Sequence, residues 1–430
     1  MTSLKPPKSS KILLNDCFLN DKERLRHADA IDLLRSRLIP IAETHEIALE
    51  NSLGAILAKE ILATRDTPST DNSAVDGYAY NADDFEKTGG YFPVVTRIAA
   101  GNTDNIELPG FSAARIFTGA AMPDGADTIA MQEDCEIHDQ DGAKFIAIPP
   151  GLKKGANRRK AGEDLKIGDI IAKAGERLTP QTIAAIASTG IAEVEVRKPL
   201  RIAILSSGDE LLEPGETAID GQVYDSNRYL LKTLLQNLPV EIIDLGIQPD
   251  NYDVIESKLA KAAEDYDIIL SSGGASRGEE DHIITALETL GTRHLWQLAV
   301  KPGRPMSFGQ IGNSVFFGLP GNPVACFVCY LLYVRPSLLR LSGADWETPK
   351  RYPLPALFNF QNKKPDRREF WRGIYTTKET GIGLIKFERD GSGLISGLRE
   401  ADGLIEIEDE TTQVKKGDLL NFIPWSEFGL

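Results

Sequence analysis

Apolar positions along this chain follow two different periods, and the places where the period changes divide it into regions. "HADAIDLLRSRL" (27–38) carries Ala, Ile and Leu at helical spacing, and "SLGAILAKEIL" (52–62) repeats that spacing after a strand-like "HEIALEN". From 65 to 150 the texture changes to short apolar runs broken by Gly, Pro, Asn and Asp, as in "YFPVVTRIAAG" and "KFIAIPPG". Short strands at close spacing predict a small β-rich domain. "KKGANRRKAGEDLKIGD" (153–169) reads as a polar, exposed crossing, and "TPQTIAAIASTG" then opens a helix with Pro at its first position. This helix groups with the first ones, so that the β-rich part is an insertion into a helical and extended domain.

From 199 the alternation becomes regular. "LRIAILSSG", "VEIIDLGI" and "YDIILSSGG" read as buried strands, each followed by a helical pattern: "DSNRYLLKTLLQNL", "NYDVIESKLAKAAED" and "DHIITALETLG". Strands alternating with helices of this length predict βαβ units and a parallel-rich sheet. "PMSFGQIGNSVFFGLPG" reads as a hairpin turning at Gly312-Asn313. A long apolar helix, "PVACFVCYLLYVRPSLLRLSG", closes the region, and 346–430 returns to short strands. The expected fold class is multidomain α/β plus β. The expected domains are 20–65 with 165–198 (helical and extended, discontinuous), 66–164 (β-rich insertion), 199–345 (α/β) and 346–430 (a small β-barrel).

Length and charge narrow the function. At 430 residues the chain exceeds one ordinary core. Its formal net charge of -15 disfavours nonspecific binding to nucleic acid or an anionic membrane. An anionic substrate would have to be met by a local basic cluster or a divalent cation. The N-terminus lacks the apolar core of a signal peptide, and no run is expected to approach the roughly 18 apolar residues of a membrane span. The cysteines, Cys17, Cys135, Cys326 and Cys329, are too few for a disulfide scaffold, so a reducing cytoplasm is expected. "CFVC" (326–329) lies in an apolar helical run with no second pair, and reads as two buried thiols one turn apart. The five histidines show no metal-binding spacing.

In an open parallel sheet, ligands bind beyond the carboxyl ends of the strands. Here those ends read "SSGDEL" (206–211), "LGIQPD" (245–250) and "SSGGASRGEED" (271–281), with "KPGRPMSFG" (301–309) and "GLPGNP" (318–323) beside them. Ser207, Gly208, Gly273, Gly274 and Ser276 offer close backbone approach and hydroxyls before helix starts, which suits an anion. Lys301 and Arg304 supply positive charge. Glu210, Asp250 and Asp281 come from three strand ends and suit Mg²⁺, which takes oxygen ligands. Any one of these loops alone would read as a tight turn, and any one acid as a helix cap. Their placement on one edge of one predicted sheet is what raises them. No Walker A or GxGxxG pattern occurs, so the standard nucleotide-binding readings lack support.

Taken together, "DNSAVDGYA", "IFTGAAMPDGADTIAMQE", "RRKAGED", "SSGDEL", "GQVYDSNRYLL", "SGGASRGEED", "KPGRPMSFG" and "GLPGNPVACF" resemble the MoeA family, in order from about residue 20 to the C-terminus. The resemblance implies an elongated four-domain subunit that forms a homodimer. It implies insertion of molybdate into adenylylated molybdopterin with Mg²⁺ present and AMP released, the insertion serving as a lid over the partner's α/β domain. Carried over by motif, the catalytic set is Asp76, Thr118, Asp164, Glu210, Asp250, Asp281 and Lys301, with Glu210, Asp250 and Asp281 as metal ligands. The substrate-binding set adds Gly303, Arg304, Pro320, Gly321, Asn322 and Pro323, with Arg372 of "FWRG" and Ser396 of "LISGL". Handover contacts with a molybdopterin adenylyltransferase and with molybdoenzyme chaperones are implied as well.

Two positions depart from the family pattern. Arg277 stands where relatives usually carry a small aliphatic residue, and Gln297 where they often carry lysine. Arg277 either adds a phosphate contact or points to solvent. Two other functions fit the same scaffold: an adenylyltransferase, which would be essentially the α/β domain alone, and a non-catalytic scaffold, which would not need the acids at the strand ends.

Overall fold

The computed structural model describes residues 24–102, 104–273, 282–377 and 381–430. Cys17, Gly274, Ser276, Arg277 and Asp281 lie outside the described residues. The sheet of the α/β region has six strands in the order Val240–Gln248, Leu200–Ser207, Ile268–Ser272, Ser314–Leu319, Pro305–Ile311, Thr292–Gln297. The first four are mutually parallel. The strands Pro305–Ile311 and Ser314–Leu319 form the antiparallel hairpin, with Ile311 opposite Ser314 across Gly312 and Asn313.

Both faces of this sheet are covered, which is why its strands read as unbroken apolar runs. Ile202, Ile204, Leu270 and Phe317 pack on one side with Leu231 and Leu235 of the helix Ser226–Leu235. Leu205, Ile269 and Phe316 pack on the other with Ile255 and Leu259 of the helix Tyr252–Asp265. Short polar side chains start these helices. Asp225 accepts from the Arg228 amide and Asn251 from the Val254 amide, each satisfying a donor that has no intrahelical partner. Thr179 does the same for Pro180–Ser188, with Pro at the first turn.

The apolar helix forms Pro323–Cys329 and Arg335–Leu341, joined by wider turns over Tyr330–Val334. At 19 residues it is long and apolar enough to cross a membrane, which corrects the expectation that no run approaches that length. It is a core helix, since 94% of its most apolar window is buried inside the protein. Cys326 and Cys329 are fully buried and free, and burial raises both thiols, Cys329 to about 12.

Two expectations fail. "SLGAILAKEIL" is not a helix: after a single 3-10 turn at Leu49–Asn51 the chain runs through turns to a short strand at Ile61–Leu62. Ile56 and Leu57 are buried through bridges to Arg177 and Val196, so their helical spacing is coincidental. "NRRKAGED" is not a loose crossing either. Arg158–Arg159 pairs antiparallel with Asn72–Ser73, and the Ala161 amide donates to Asp71 at 2.8 Å. Thr67 bridges Leu165 just outside that pairing. Further out, Ile61–Leu62 pairs with Ile170–Ala172, and Thr44–Ala48 with Glu193–Arg197. The outgoing and returning chains are thus zipped together on either side of the inserted sheet, whose order is Thr128–Met131, Gly77–Tyr80, Ala113–Ile116, Tyr91–Ile98, Ala143–Ala147, Glu136–Gln140.

The helix His27–Arg37 docks on the core through His27, whose Nδ1 lies 2.8 Å from the Tyr333 hydroxyl. Burial lowers the His27 pKa from its ordinary 6.5 to about 4, with Arg368 and Arg351 adding to the shift and Glu406 and Asp409 opposing it. The folded state therefore refuses a proton that the unfolded chain accepts below pH 6.5. Stability from this site is complete above about pH 6.5 and declines toward pH 4. Urea unfolding across that range should show a loss on the order of 3 kcal/mol attributable to this residue. His27→Gln should flatten that part of the profile; an unchanged slope would contradict the assignment.

Candidate functional site

The loops after the parallel strands do gather at one edge. Gly208 adopts φ +147°, where a side chain is strained, and the Glu210 carboxylate folds back against it. The neighbouring Asp209 accepts the Asp250 amide at 2.9 Å and so ties the first two loops together. Gly273 lies within 4 Å of the Ser207 carbonyl for any added Cβ, and its own amide donates to Leu319 O. Ser207 is half-buried, whereas Glu210 and Asp250 are exposed. Among the described residues no group of three possible metal ligands is found. Mg²⁺ needs only one or two protein carboxylates when substrate phosphates complete its shell. Glu210 and Asp250, exposed oxygen donors on adjacent linked loops, fit that requirement.

A second set meets at the junction with the C-terminal sheet. Val300–Lys301 pairs in parallel with the strand Arg368–Thr376 of that sheet, so the "KPG" segment leaves the α/β sheet to reach it. A cavity of about 250 Å³ opens there. Lys301, Gly303, Pro320 and Asn322 line it from the α/β side, and Trp371, Arg372, Lys386, Phe387 and Asp390 from the other. Three cations against one carboxylate make this wall positive in a strongly acidic chain.

Each wall residue is held in place. Lys301 lies 4.0 Å from the buried Glu369, and Gly303 (φ +106°) is packed so closely on Cys329 that a Cβ would strike the sulfur. Arg372 donates to the carbonyls of Leu394 (2.8 Å), Gly391 (3.3 Å) and Arg389, and lies over the Phe387 ring. It thereby fixes the loop that forms the far wall. Lys386 pairs with Asp390 and lies over the Trp371 and Phe360 rings. Of the remaining expected residues, Arg304 is exposed and donates to Gln297 Oε1 at 3.1 Å, and the Gly321 carbonyl accepts from Asn227 at 2.7 Å. Pro323 begins the apolar helix. Ser396 starts the short helix Ser396–Glu400 and does not line the cavity.

A third set lies in the inserted sheet. Asp76 accepts both the amide and the hydroxyl of Thr118, each at 2.8 Å. These bonds, the backbone one foremost, hold the Asp76 carboxyl below the usual range. The next residue, Gly77, lets the strand Thr128–Met131 pack closely alongside, since a Cβ there would collide with the Ala130 carbonyl. Asp164 is exposed, its amide donating to Thr67 O. Among the described residues no hydrogen bond or ion pair joins Asp76, Thr118 or Asp164 to the sheet-edge loops or to the cavity, so within one subunit the expected catalytic set stands in separate groups.

Three contributors escaped the sequence reading. Asp209 sits beside the favoured Glu210, and only the fold shows which of the two bridges the loops. Lys386 is a cation in an otherwise apolar strand, "GLIKFE", a signal that could have been noticed. Arg228, 3% exposed, pairs with Asp225 (3.2 Å), Asp244 (2.6 Å) and Glu213, fastening the segment after "SSGDEL" to the helix and to the edge strand. The spacing Asp225-x-x-Arg228 at a helix start was its signal.

The comparisons with known proteins bear on this arrangement. The chain matches the models of the MoeA N-terminal region (domains I and II) over 25–190, the probable molybdopterin binding domain over 203–340, and the MoeA C-terminal region (domain IV) over 356–425. It is a multidomain protein of the class to which those three regions belong. A molybdopterin molybdenumtransferase of Haemophilus influenzae is 36% identical over 402 residues, covering 92% of this chain and 98% of that one. One from Staphylococcus aureus is 31% identical, covering 80% and 83%. A crystal structure of a molybdopterin biosynthesis moeA protein from Pyrococcus horikoshii OT3 superimposes with a TM-score of 0.77 at 26% identity, covering 94% of this chain and 100% of that one. The chain belongs to the MoeA family.

Two outcomes test the site geometry. Thr118→Val removes the hydroxyl donor and keeps the amide, so the Asp76 pKa should rise toward an ordinary carboxylate value in a carboxyl NMR titration. Arg228→Met leaves the buried Asp225 unpaired and should cost about 3–5 kcal/mol in urea unfolding at neutral pH. A cost under about 1 kcal/mol would mean that the cluster behaves as a surface ion pair.

Proposed function

We propose that this protein inserts molybdate into adenylylated molybdopterin and releases AMP, in the synthesis of molybdenum cofactor. The observation that carries the reading is the positive cavity between the α/β and C-terminal sheets, lined by Lys301, Arg372 and Lys386, beside the strand-end loops of Ser207, Gly208 and Gly273. Both substrates are anions, and the chain's overall charge repels anions everywhere that local cations do not outweigh it.

Lys301 and Lys386 supply charge to the bound oxyanions, and Arg372 holds the 389–394 loop that closes the cavity. Ser207, Gly208 and Gly273 let the substrate approach backbone closely, and Pro320 shapes the floor, with Pro323 starting the helix behind it. Glu210 and Asp250, with Asp281, would hold Mg²⁺, which when bound neutralises phosphate charge as the leaving group departs. Asp76 is kept ionised by Thr118, ready to accept a hydrogen bond or to repel a misplaced phosphate. In a homodimer the inserted region of one subunit would bring Asp76, Thr118 and Asp164 to the other's cavity, which accounts for their separation within one chain.

No group in the described part of the protein needs to ligate molybdenum, because the sulfur ligands belong to the pterin. Free buried cysteines accord with a cytoplasmic location. Molybdopterin adenylyltransferase and molybdoenzyme chaperones are the proposed sources and recipients of substrate and product.

The test follows AMP release from adenylylated molybdopterin with Mg²⁺, with and without molybdate. Release should depend on molybdate and fall at least about 100-fold in Lys301→Gln, the range for loss of one preorganised charge contact. Mixing inactive Asp76→Asn with inactive Lys301→Gln should restore part of the rate if active sites are shared between subunits. Molybdate-independent release, or ATP consumption, would reject the reading.

A further inference from the structure

The inserted region holds a cluster that none of these roles uses. Its strands Tyr91–Ile98 and Ala113–Ile116 run parallel, and their register sets Arg97 beside Arg115. Tyr78 is Arg115's partner on the other side. Register partners share a sheet face, so Tyr78, Arg115 and Arg97 form one row across three strands. Phe117, two residues beyond Arg115, extends the same face. The Arg97 guanidinium lies 4.5 Å from the Phe117 ring centroid and that of Arg115 4.7 Å, with Arg115 also 5.0 Å from the Tyr78 ring.

Like charges directly opposite on neighbouring strands destabilise a sheet unless something offsets them. Among the described residues no carboxylate forms an ion pair with either arginine. Asp76 and Glu133 are close enough to feel Arg115, but the bonds Arg115 makes go to neutral acceptors, Gly77 O (3.3 Å) and Gln132 Oε1. In a chain with 63 acidic residues to 48 basic ones, a cation pair left without carboxylates is conspicuous. Contact with aromatic rings keeps the guanidinium groups ordered. Arg115 commits two N–H groups to the Gly77 and Gln132 oxygens, while the exposed Arg97 makes no side-chain hydrogen bond among the described residues and keeps its N–H edge for a planar or tetrahedral oxyanion. The pair also lies next to Thr118, one residue from Phe117, and so next to the Asp76–Thr118 contact.

We propose that Arg97 and Arg115, ordered by Phe117 and Tyr78, form an oxyanion site of the inserted region that receives a doubly charged tetrahedral group. Two sources share that chemistry, the phosphate of released AMP and molybdate. The existence of the site does not depend on the function proposed above; only the choice between these two anions does.

The full-length protein is titrated calorimetrically with AMP and, separately, with sodium molybdate, as wild type, Arg97→Gln, Arg97→Lys and Lys301→Gln. Arg97→Gln should weaken one of the two anions about tenfold, the loss of one charged hydrogen bond. Arg97→Lys should recover only part of it, because it keeps the charge but not the planar fork. The anion that loses affinity identifies the source. Unliganded Arg97→Gln should melt no lower than wild type, since it removes a like-charge pair, and Arg97→Lys carries the test should the glutamine variant fail to fold. Wild-type affinity for both anions in Arg97→Gln overturns the proposal, as does a wild-type protein that binds neither. If Lys301→Gln loses both anions and Arg97→Gln loses none, anion binding belongs to the cavity alone. The proposed oxyanion site then falls while the proposed function stands.

Discussion

The chain passes from one sheet to another within a few residues, and the cavity depends on that crossing. Val300 and Lys301 pair with Arg368 and Glu369 of the C-terminal sheet, and from Pro305 onward the chain belongs to the α/β sheet. Between them Gly303 turns at φ +106° against the sulfur of Cys329, in a space that no side chain could share. The apolar helix that supplies Cys329 is almost wholly buried, so the crossing rests directly on the core. Lys301 is consequently fixed at the seam between two domains, where a ligand can touch both.

Electrostatics works against the same background. A protein this acidic holds anions only where cations are concentrated and kept from their own carboxylates. In the cavity the structure achieves this unevenly. Lys386 shares its charge with Asp390, Lys301 stands at the limit of an ion pair with Glu369, and Arg372 spends its donors on loop carbonyls while keeping its charge. At the strand edge the opposite sign prevails, with Asp209, Glu210 and Asp250 exposed or nearly so. A positive wall beside a carboxylate edge suits a substrate that carries phosphate oxygens at one end and a hard cation bridging them.

Much of the α/β region was legible in the sequence because its signals are local. The alternation of strand and helix patterns from 199 and the Gly312-Asn313 turn of the hairpin each lie within a few residues of what they determine, as does the Pro180 helix start in the preceding domain. The segment 52–62 misled because Ile56 and Leu57 are buried by partners more than a hundred residues away, and helical spacing arose by chance. The pairing of Arg158–Arg159 with Asn72–Ser73 was hidden for the same reason. For the site, the loops and Lys301 were readable as chemistry, but the seam that gathers Lys301 with Arg372 and Lys386 is a non-local pairing that no window of sequence contains. Only the family resemblance pointed to Arg372 beforehand, and it pointed equally to Ser396, which does not line the cavity.

Hydrogen–deuterium exchange on the whole chain, with and without adenylylated molybdopterin, tests the central claim most directly. Binding at the seam should slow exchange in 206–212, 301–304, 318–323 and 389–394 together, because these segments from two domains surround one ligand. Protection confined to one domain, or absent from 301–304, would contradict the account.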